Sequence, residues 1–243
     1  EFCERELRGL YPLDRVTYRI EVGAPTDEIL LAADDLDASL LVVGTVGHGR
    51  IMAAFLGSTA NQLVRQSERP VLVVPPSEPF EDIERVLAPV DFSEVSRASL
   101  IRSAEIARDA GAKVTILHAM GTPPAGVGDP NFPVYVGPGS VESLVQERQL
   151  WLDDVAGALE IDDVVDDAIV RHGDPATAID EVAEELGVDL ICMGSHGRRG
   201  LRRFLLGNTA ERVLRRAPCP ILVLHEAAEQ PLMRGALSSS EEE

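Results

Sequence analysis

Two kinds of apolar run alternate along this chain. Short unbroken runs, "RVLAPV" at 85–90, "AKVTILHA" at 112–119, a third near 164–171, "DLICMG" at 189–194 and "PILVL" at 220–224, have the pattern of strands buried on both faces. Between them lie longer segments with apolar residues three or four apart. Over 94–110 these are Val95, Ala98, Leu100, Ile101, Ala104 and Ala107, stopped by Gly111. Over 141–159 they are Leu144, Val145, Trp151, Leu152 and Val155. A third helix runs from Pro175 to Leu186, with Asp174 as N-cap, Pro175 in its first turn and Gly187 closing it, and a fourth lies near 207–216. Strands separated by helices predict a parallel sheet covered by helices on both faces.

The same plan occurs earlier, 150 residues upstream. "GTVGHGRIMAAFLGSTANQLV" at 44–64 lies over "GSHGRRGLRRFLLGNTAERVL" at 194–214 with six of 21 positions identical, all three spaced glycines among them. "VGAPTDEI" at 22–29 matches "HGDPATAI" at 172–179, and "RPVLVV" at 69–74 matches "CPILVL" at 219–224, without a gap. This is an internal duplication. The earlier copy lacks counterparts of the first strand, first helix and second strand, which leaves it three of five strands. Repeat logic predicts about 70 further residues at the amino end of the natural chain. The expected units are residues 1–77, residues 83–226 and an acidic disordered tail at 227–243, with a Pro- and acid-rich linker at 75–82 and an irregular Gly/Pro excursion at 121–140.

Composition narrows the chemistry. The 41 acidic residues against 22 basic ones give a net charge of −19, and Lys113 is the sole lysine. Such a field repels nucleic acid and anionic membranes, and no apolar run is long enough to span a bilayer. Cys3, Cys192 and Cys219 have neither metal-ligand nor disulfide spacing. Cys192 reads as a core thiol, and a reducing cytoplasm fits.

Against this acidic background, seven basic residues crowd between Arg198 and Arg216, opposed there by Glu211 alone. Arg198 and Arg199 fall inside the glycine-rich connection. Arg202 and Arg203 are open between surface and ligand, and Arg212, Arg215 and Arg216 read as solvated or paired. A glycine-rich turn between a strand end and a helix lets backbone amides approach an anion, which is phosphate chemistry. The spacing is neither that of a P-loop nor that of the dinucleotide fingerprint.

Gly194-x-x-Gly197, nine residues, then Gly207-Asn208 resembles the nucleotide motif of the universal stress protein family, as does Gly44-x-x-Gly47, nine residues, then Gly57-Ser58. "RVLAPVDFSEVSRASLIRSAEIARDAGAKVTILHA" is similar to that family's first strand, helix and second strand. The resemblance covers residues 1 to about 226 and extends to a tandem arrangement. It implies α/β architecture, two Rossmann-like domains with parallel five-stranded sheets in the order 3-2-1-4-5 and helices on both faces, the first incomplete. It also implies ATP between strands one and four, with any Mg²⁺ carried by the phosphates. The implied contacts are Pro89 and Asp91 at the end of strand one, His118 and Ala119 at the end of strand two, and the loop through Met193, Gly194, Ser195, His196, Gly197, Arg198, Gly207, Asn208 and Thr209. Asn208 departs from the family's hydroxyl at that position. Gly44, Gly47, Gly57 and Ser58 mark a vestigial second site whose loop offers only His48 and Arg50 as cations.

Plainer roles stand beside these. Asp91 competes with Ser93 to cap the following helix, and a histidine at a strand end such as His118 is more often structural than a contact. His172 and His225 lack partners at chemical spacing, and Gly23 and Gly173 suit turns. No catalytic constellation or metal cluster stands out, so the expected function is a nucleotide-responsive regulator, with slow hydrolysis at most. An interaction module without nucleotide is the alternative, and an ATP-cleaving enzyme ranks last. The expected partners are an adenine nucleotide and copies of its own kind, as a homo-oligomer or an intramolecular pseudo-dimer joined through the last strand of each copy.

Overall fold

The computed structural model describes residues 16–45, 56–76, 82–121, 138–196 and 206–225, with the side chains of 138–144 excepted. In chain order the elements are α1 (Pro25–Asp35), β1 (Leu41–Gly44), α2 (Ser58–Gln66), β2 (Val71–Val74), β3 (Arg85–Pro89), α3 (Glu94–Ala110), β4 (Lys113–Met120), α4 (Pro138–Ala158), β5 (Val165–His172), α5 (Pro175–Leu186), β6 (Leu190–Gly194), α6 (Asn208–Val213) and β7 (Ile221–Leu224). Most boundaries fall within a residue or two of those read from apolar spacing. Two helices differ. α4 begins at Pro138, inside the expected Gly/Pro excursion, and α6 ends at Val213 rather than near 216. The linker residues 77–81, residues 122–137 and the tail lie outside the described residues.

All seven strands form one sheet in the order β1-β2-β7-β6-β3-β4-β5. The five strands of the second half keep the expected order 3-2-1-4-5 within it, but they do not form a separate sheet. The last strands of the two halves run antiparallel, with Val71 opposite Val223, Leu72 opposite Leu222 and Val73 opposite Ile221, while every other pairing is parallel. Leu72 and Leu222 are themselves 150 positions apart, so a pseudo-two-fold axis passes through that pair. Helices α1, α2, α5 and α6 cover one face through Ala33, Leu63, Val64, Ile179, Val182 and Val213. Helices α3 and α4 cover the other through Leu100, Ala104, Ala107, Leu152 and Ala156.

The expected third strand of the first half is not formed. Residues 16–22 join no ladder among the described residues, and Ile20 and Val22 are 94% and 96% exposed. The cause is geometric. In the second half the counterpart strand β5 is held by β4, and among the described residues no strand in β4's place lies beside residues 16–22.

Local chemistry explains the helix ends. Ser93 caps α3 by accepting from Ser96 N at 3.1 Å, and Asp174 caps α5 by accepting from Thr177 N at 3.0 Å. Gly111 and Gly187 close these helices in the left-handed conformation, at φ 71° and 59°, which glycine adopts without steric cost.

Candidate functional site

The site is laid down by the place where β3 and β6 part company. Their parallel register covers Val86 opposite Leu190 and Leu87 opposite Ile191, and goes no further. On its other side β3 stays paired with β4 through Pro89 opposite Leu117, and Val90 N donates to Leu117 O at 2.8 Å. The β3–β6 ladder therefore ends short of Pro89–Asp91 and Cys192–Gly194, at the carboxyl ends of strands whose connections run in opposite directions. Open α/β sheets take ligands at such a switch point.

The loop leaving β6 is closed at its base. Gly207 N donates to Ser195 O at 2.7 Å, and Ser195 N donates to Leu224 O at 2.8 Å. The first half repeats the closure, with Gly57 N donating to Thr45 O at 2.6 Å and Thr45 N to Val74 O at 3.0 Å. A Cβ on Gly57 would lie 3.0 Å from that same carbonyl, which leaves little room for another residue. At the other glycine, a Cβ on Gly194 would lie 2.7 Å from Val95 Cγ1, so the bare Cα lets the first turn of α3 settle against the end of β6. Asn208 and Thr209 follow Gly207 as the first two residues of α6.

Asp91 follows the end of β3, and its Oδ1 accepts from Ser93 N at 3.1 Å and from Ser93 Oγ at 2.6 Å. Ser93, not Asp91, is the N-cap, and Asp91 orients it. His118 is buried, with Nδ1 2.8 Å from Val90 O, which ties β4 to the end of β3. That contact is the structural role weighed for it in the sequence. Ala119, beside it, is opposite Arg171 on β5. Met193 is buried in the core, and Ser195 Oγ lies 2.9 Å from His196 Nδ1. Gly197, Arg198, Arg199, Arg202 and Arg203 in the second loop, and Gly47, His48 and Arg50 in the first, lie outside the described residues.

Sequence reasoning missed Phe92. Its φ of +66° places a bulky side chain in the left-handed region, which is rare and marks local strain. Its ring meets His118 edge-on at 4.4 Å and Trp151 at 4.0 Å, with the Arg148 guanidinium 5.1 Å from its centroid. Edge-to-face pairs of this kind each contribute about 1 kcal/mol. The cluster fastens α4 to the turn that carries Asp91. A phenylalanine after an aspartate gives no signal of such a conformation.

Other expected roles resolve as structural. Burial pushes the Cys192 thiol up to about 12, and its Sγ donates to Ser99 O at 3.4 Å inside the core. His225 meets Val64 O through Nε2 at 2.8 Å, and since a carbonyl only accepts, the proton sits on Nε2. Burial holds that ring below its ordinary pKa. His172 is exposed at the end of β5. Arg212 pairs with Asp174 at 2.6 Å and Arg215 with Glu211 at 2.8 Å. Glu211 also takes Arg65 of the first half at 2.7 Å, a bond across the junction that spacing did not foretell.

The family model described as "Universal stress protein family" matches this chain over residues 10–75 and again over 82–225. The chain belongs to the universal stress protein family. Among its relatives, a universal stress protein of Methanocaldococcus jannaschii is 34% identical over 151 residues, which is 60% of this chain and 85% of the relative. One of Mycolicibacterium smegmatis is 31% identical over 225 residues, 91% of this chain and 71% of the relative. The crystal structure of a universal stress protein from Archaeoglobus fulgidus shares the fold, with a TM-score of 0.62 and 24% identity over 86% of this chain and 70% of that one. Both matched segments of this universal stress protein contain a pinched glycine loop. No helix among the described residues is long and apolar enough to cross a membrane.

Proposed function

We propose that the second half binds ATP in the crevice between β3 and β6, and that occupancy makes the protein a nucleotide-responsive regulator in a stress response. The observation that carries this is the parting of β3 and β6 after Leu87 and Ile191, directly beside a glycine loop closed by Gly207 N and Ser195 O. The residues suit the ligand. The loop's glycines let amides approach phosphate oxygens, and the strand ends beside it are apolar at Val90 and Met193. The base would lie between the Asp91 turn and the β4 end at His118 and Ala119, and the loop from Gly194 to Asn208 would take ribose and phosphates. Among the described residues no three His, Cys, Asp or Glu side chains stand together as metal ligands. Mg²⁺ would therefore arrive with the phosphates.

A second reading, an interaction module that binds no nucleotide, has one feature in its favour. Asn208 stands where the matching position of the first half has Ser58. ATP titration of the wild type, Asn208→Asp and Ser58→Asp separates the two. An acid at the first position of either helix favours the helix itself, so lost binding would report the site and not the fold. The expected result is an affinity at least about tenfold weaker for Asn208→Asp, from charge repulsion of the phosphates, with Ser58→Asp within about twofold of wild type. Absence of ATP binding by the wild type would favour the interaction module.

A further inference from the structure

Among the described residues three that are not glycine have φ above zero: Asp37 at 47°, Phe92 at 66° and Glu160 at 55°. Asp37 and Glu160 each lie two residues beyond a helix, past Asp35 of α1 and Ala158 of α4, where a left-handed residue closes the last turn. Phe92 closes no helix. It stands between the end of β3 and the Ser93 cap of α3, and its bulk makes the conformation costly. The left-handed step folds Asp91 back over the start of α3. Asp91 Oδ1 receives both Ser93 N and Ser93 Oγ, and the Asp91 amide donates to Ser96 Oγ at 3.3 Å. Helix α4 helps to offset the cost. It packs along β4 and β5 and meets the turn through Trp151, 4.0 Å from the Phe92 ring, with Arg148 over the same ring. The cost of one such backbone and the worth of these ring contacts are of the same order, so the turn is held by a narrow margin.

We propose that Trp151 and Phe92 are positioning residues for the nucleotide: α4, docked through Trp151, keeps Phe92 left-handed and thereby keeps Asp91 where the base meets it. This rests on the ATP reading above and adds to it a route out of the site. Leu152 and Ala156 already seat α4 on the sheet, so what the Trp151 contact adds is control of the turn. The effect is reciprocal by linkage. A docked α4 favours ligand, and bound ligand favours a docked α4 by the same factor. Leu150, next to Trp151, is exposed, so a change in how firmly α4 is held reaches the protein surface.

ATP titration of the full chain and its variants, each confirmed folded by circular dichroism, tests the coupling. Glycine enters the left-handed region freely and alanine does not. Phe92→Ala should therefore bind ATP at least about fivefold more weakly than Phe92→Gly, although both lose the ring. Trp151→Ala should weaken binding at least about fivefold in the native background and less than about twofold in the Phe92→Gly background, where the turn no longer needs α4. Saturating ATP should slow hydrogen exchange of the α4 amides around Trp151 at least about fivefold in the wild type, a readout that needs no variant. Trp151→Ala weakening both backgrounds alike would make its role merely structural and overturn the proposal. So would equal affinities for Phe92→Ala and Phe92→Gly, or α4 exchange indifferent to bound ATP. Those three outcomes leave the nucleotide reading standing, whereas a wild type that binds no ATP would overturn that reading and the proposal together.

Discussion

Leu72 and Leu222 face each other across the antiparallel junction, in the same residue type, at the same repeat position and on the same face of the sheet. Leu222 is 3% exposed in the α3 core, whereas Leu72 only packs against its margin. From β1 to β2 the described backbone repeats that from β6 to β7, down to the hydrogen bonds that pinch the two glycine loops, at 2.6 and 2.7 Å. Burial does not repeat, because among the described residues no counterpart of α3 lies over the first half. Strand and loop geometry are thus set locally by pattern and glycine placement, while the worth of a side chain is set by what packs on it.

The sharpest test of that difference is truncation of each leucine. Leu222→Ala removes buried methyls and leaves a cavity, and should cost about 3 kcal/mol. Leu72→Ala should cost about 1 kcal/mol, since solvent already reaches it. Chemical denaturation of both variants under one set of conditions gives the pair of values. Equal losses would mean that the first half is covered in solution as the second is, and the contrast would fail.

The next difference is electrostatic. Asp180 on α5 occupies the place that Leu30 takes on α1. Burial pushes the Asp180 carboxyl up to about 6, with Glu184 adding to the rise and Arg216 and Arg212 opposing it. A carboxyl raised in the folded state contributes stability below its unfolded pKa near 4, and that contribution is lost as pH rises through about 6. Asp180→Leu should therefore stabilise the protein by about 1 kcal/mol at pH 7 to 8, a figure discounted for partial exposure, and the gain should vanish by about pH 4. Thermal unfolding across that pH range checks it. A gain independent of pH would assign the effect to packing of the new leucine.

Much of this architecture could be read from the residues, and the parts that could not share a cause. The second half's strands, the Asp174 cap and the Gly111 and Gly187 stops all follow from local pattern plus the rule of parallel crossovers. Residues 16–22 have a strand's apolarity without a strand's partner, and pairing is a long-range fact that periodicity cannot carry. Arg65 and Glu211 are 146 positions apart and meet only because β2 and β7 join the halves. Phe92 was hidden for another reason. Its left-handed backbone is held by packing on His118 and Trp151, against the residue's own preference.

The smallest difference between the halves lies at two helix starts. Ala24 precedes α1 at φ −71° and ψ 123°, and Asp174 precedes α5 at φ −68° and ψ 124°, so the backbones are interchangeable. Only Asp174 supplies a cap, through Thr177 N, while Ala24 leaves its helix without a side-chain acceptor. Arg212, then the Thr177 amide, hold the Asp174 carboxyl well below the usual range, so its contribution is complete at neutral pH and is lost only as acid protonates it. Asp174→Ala should cost about 1 kcal/mol at pH 7, and less in strong acid. The reverse change, Ala24→Ser, should gain about 0.5 kcal/mol. Ala24→Asp should gain less than serine, because Asp27 and Glu28 already crowd the first turn of α1 and the counterpart of Arg212 is the neutral Gln62, bonded to Thr26 at 2.7 Å. Urea midpoints for the three variants order these effects. A larger gain for aspartate than for serine would show that the helix dipole outweighs the local acids at this end of the molecule.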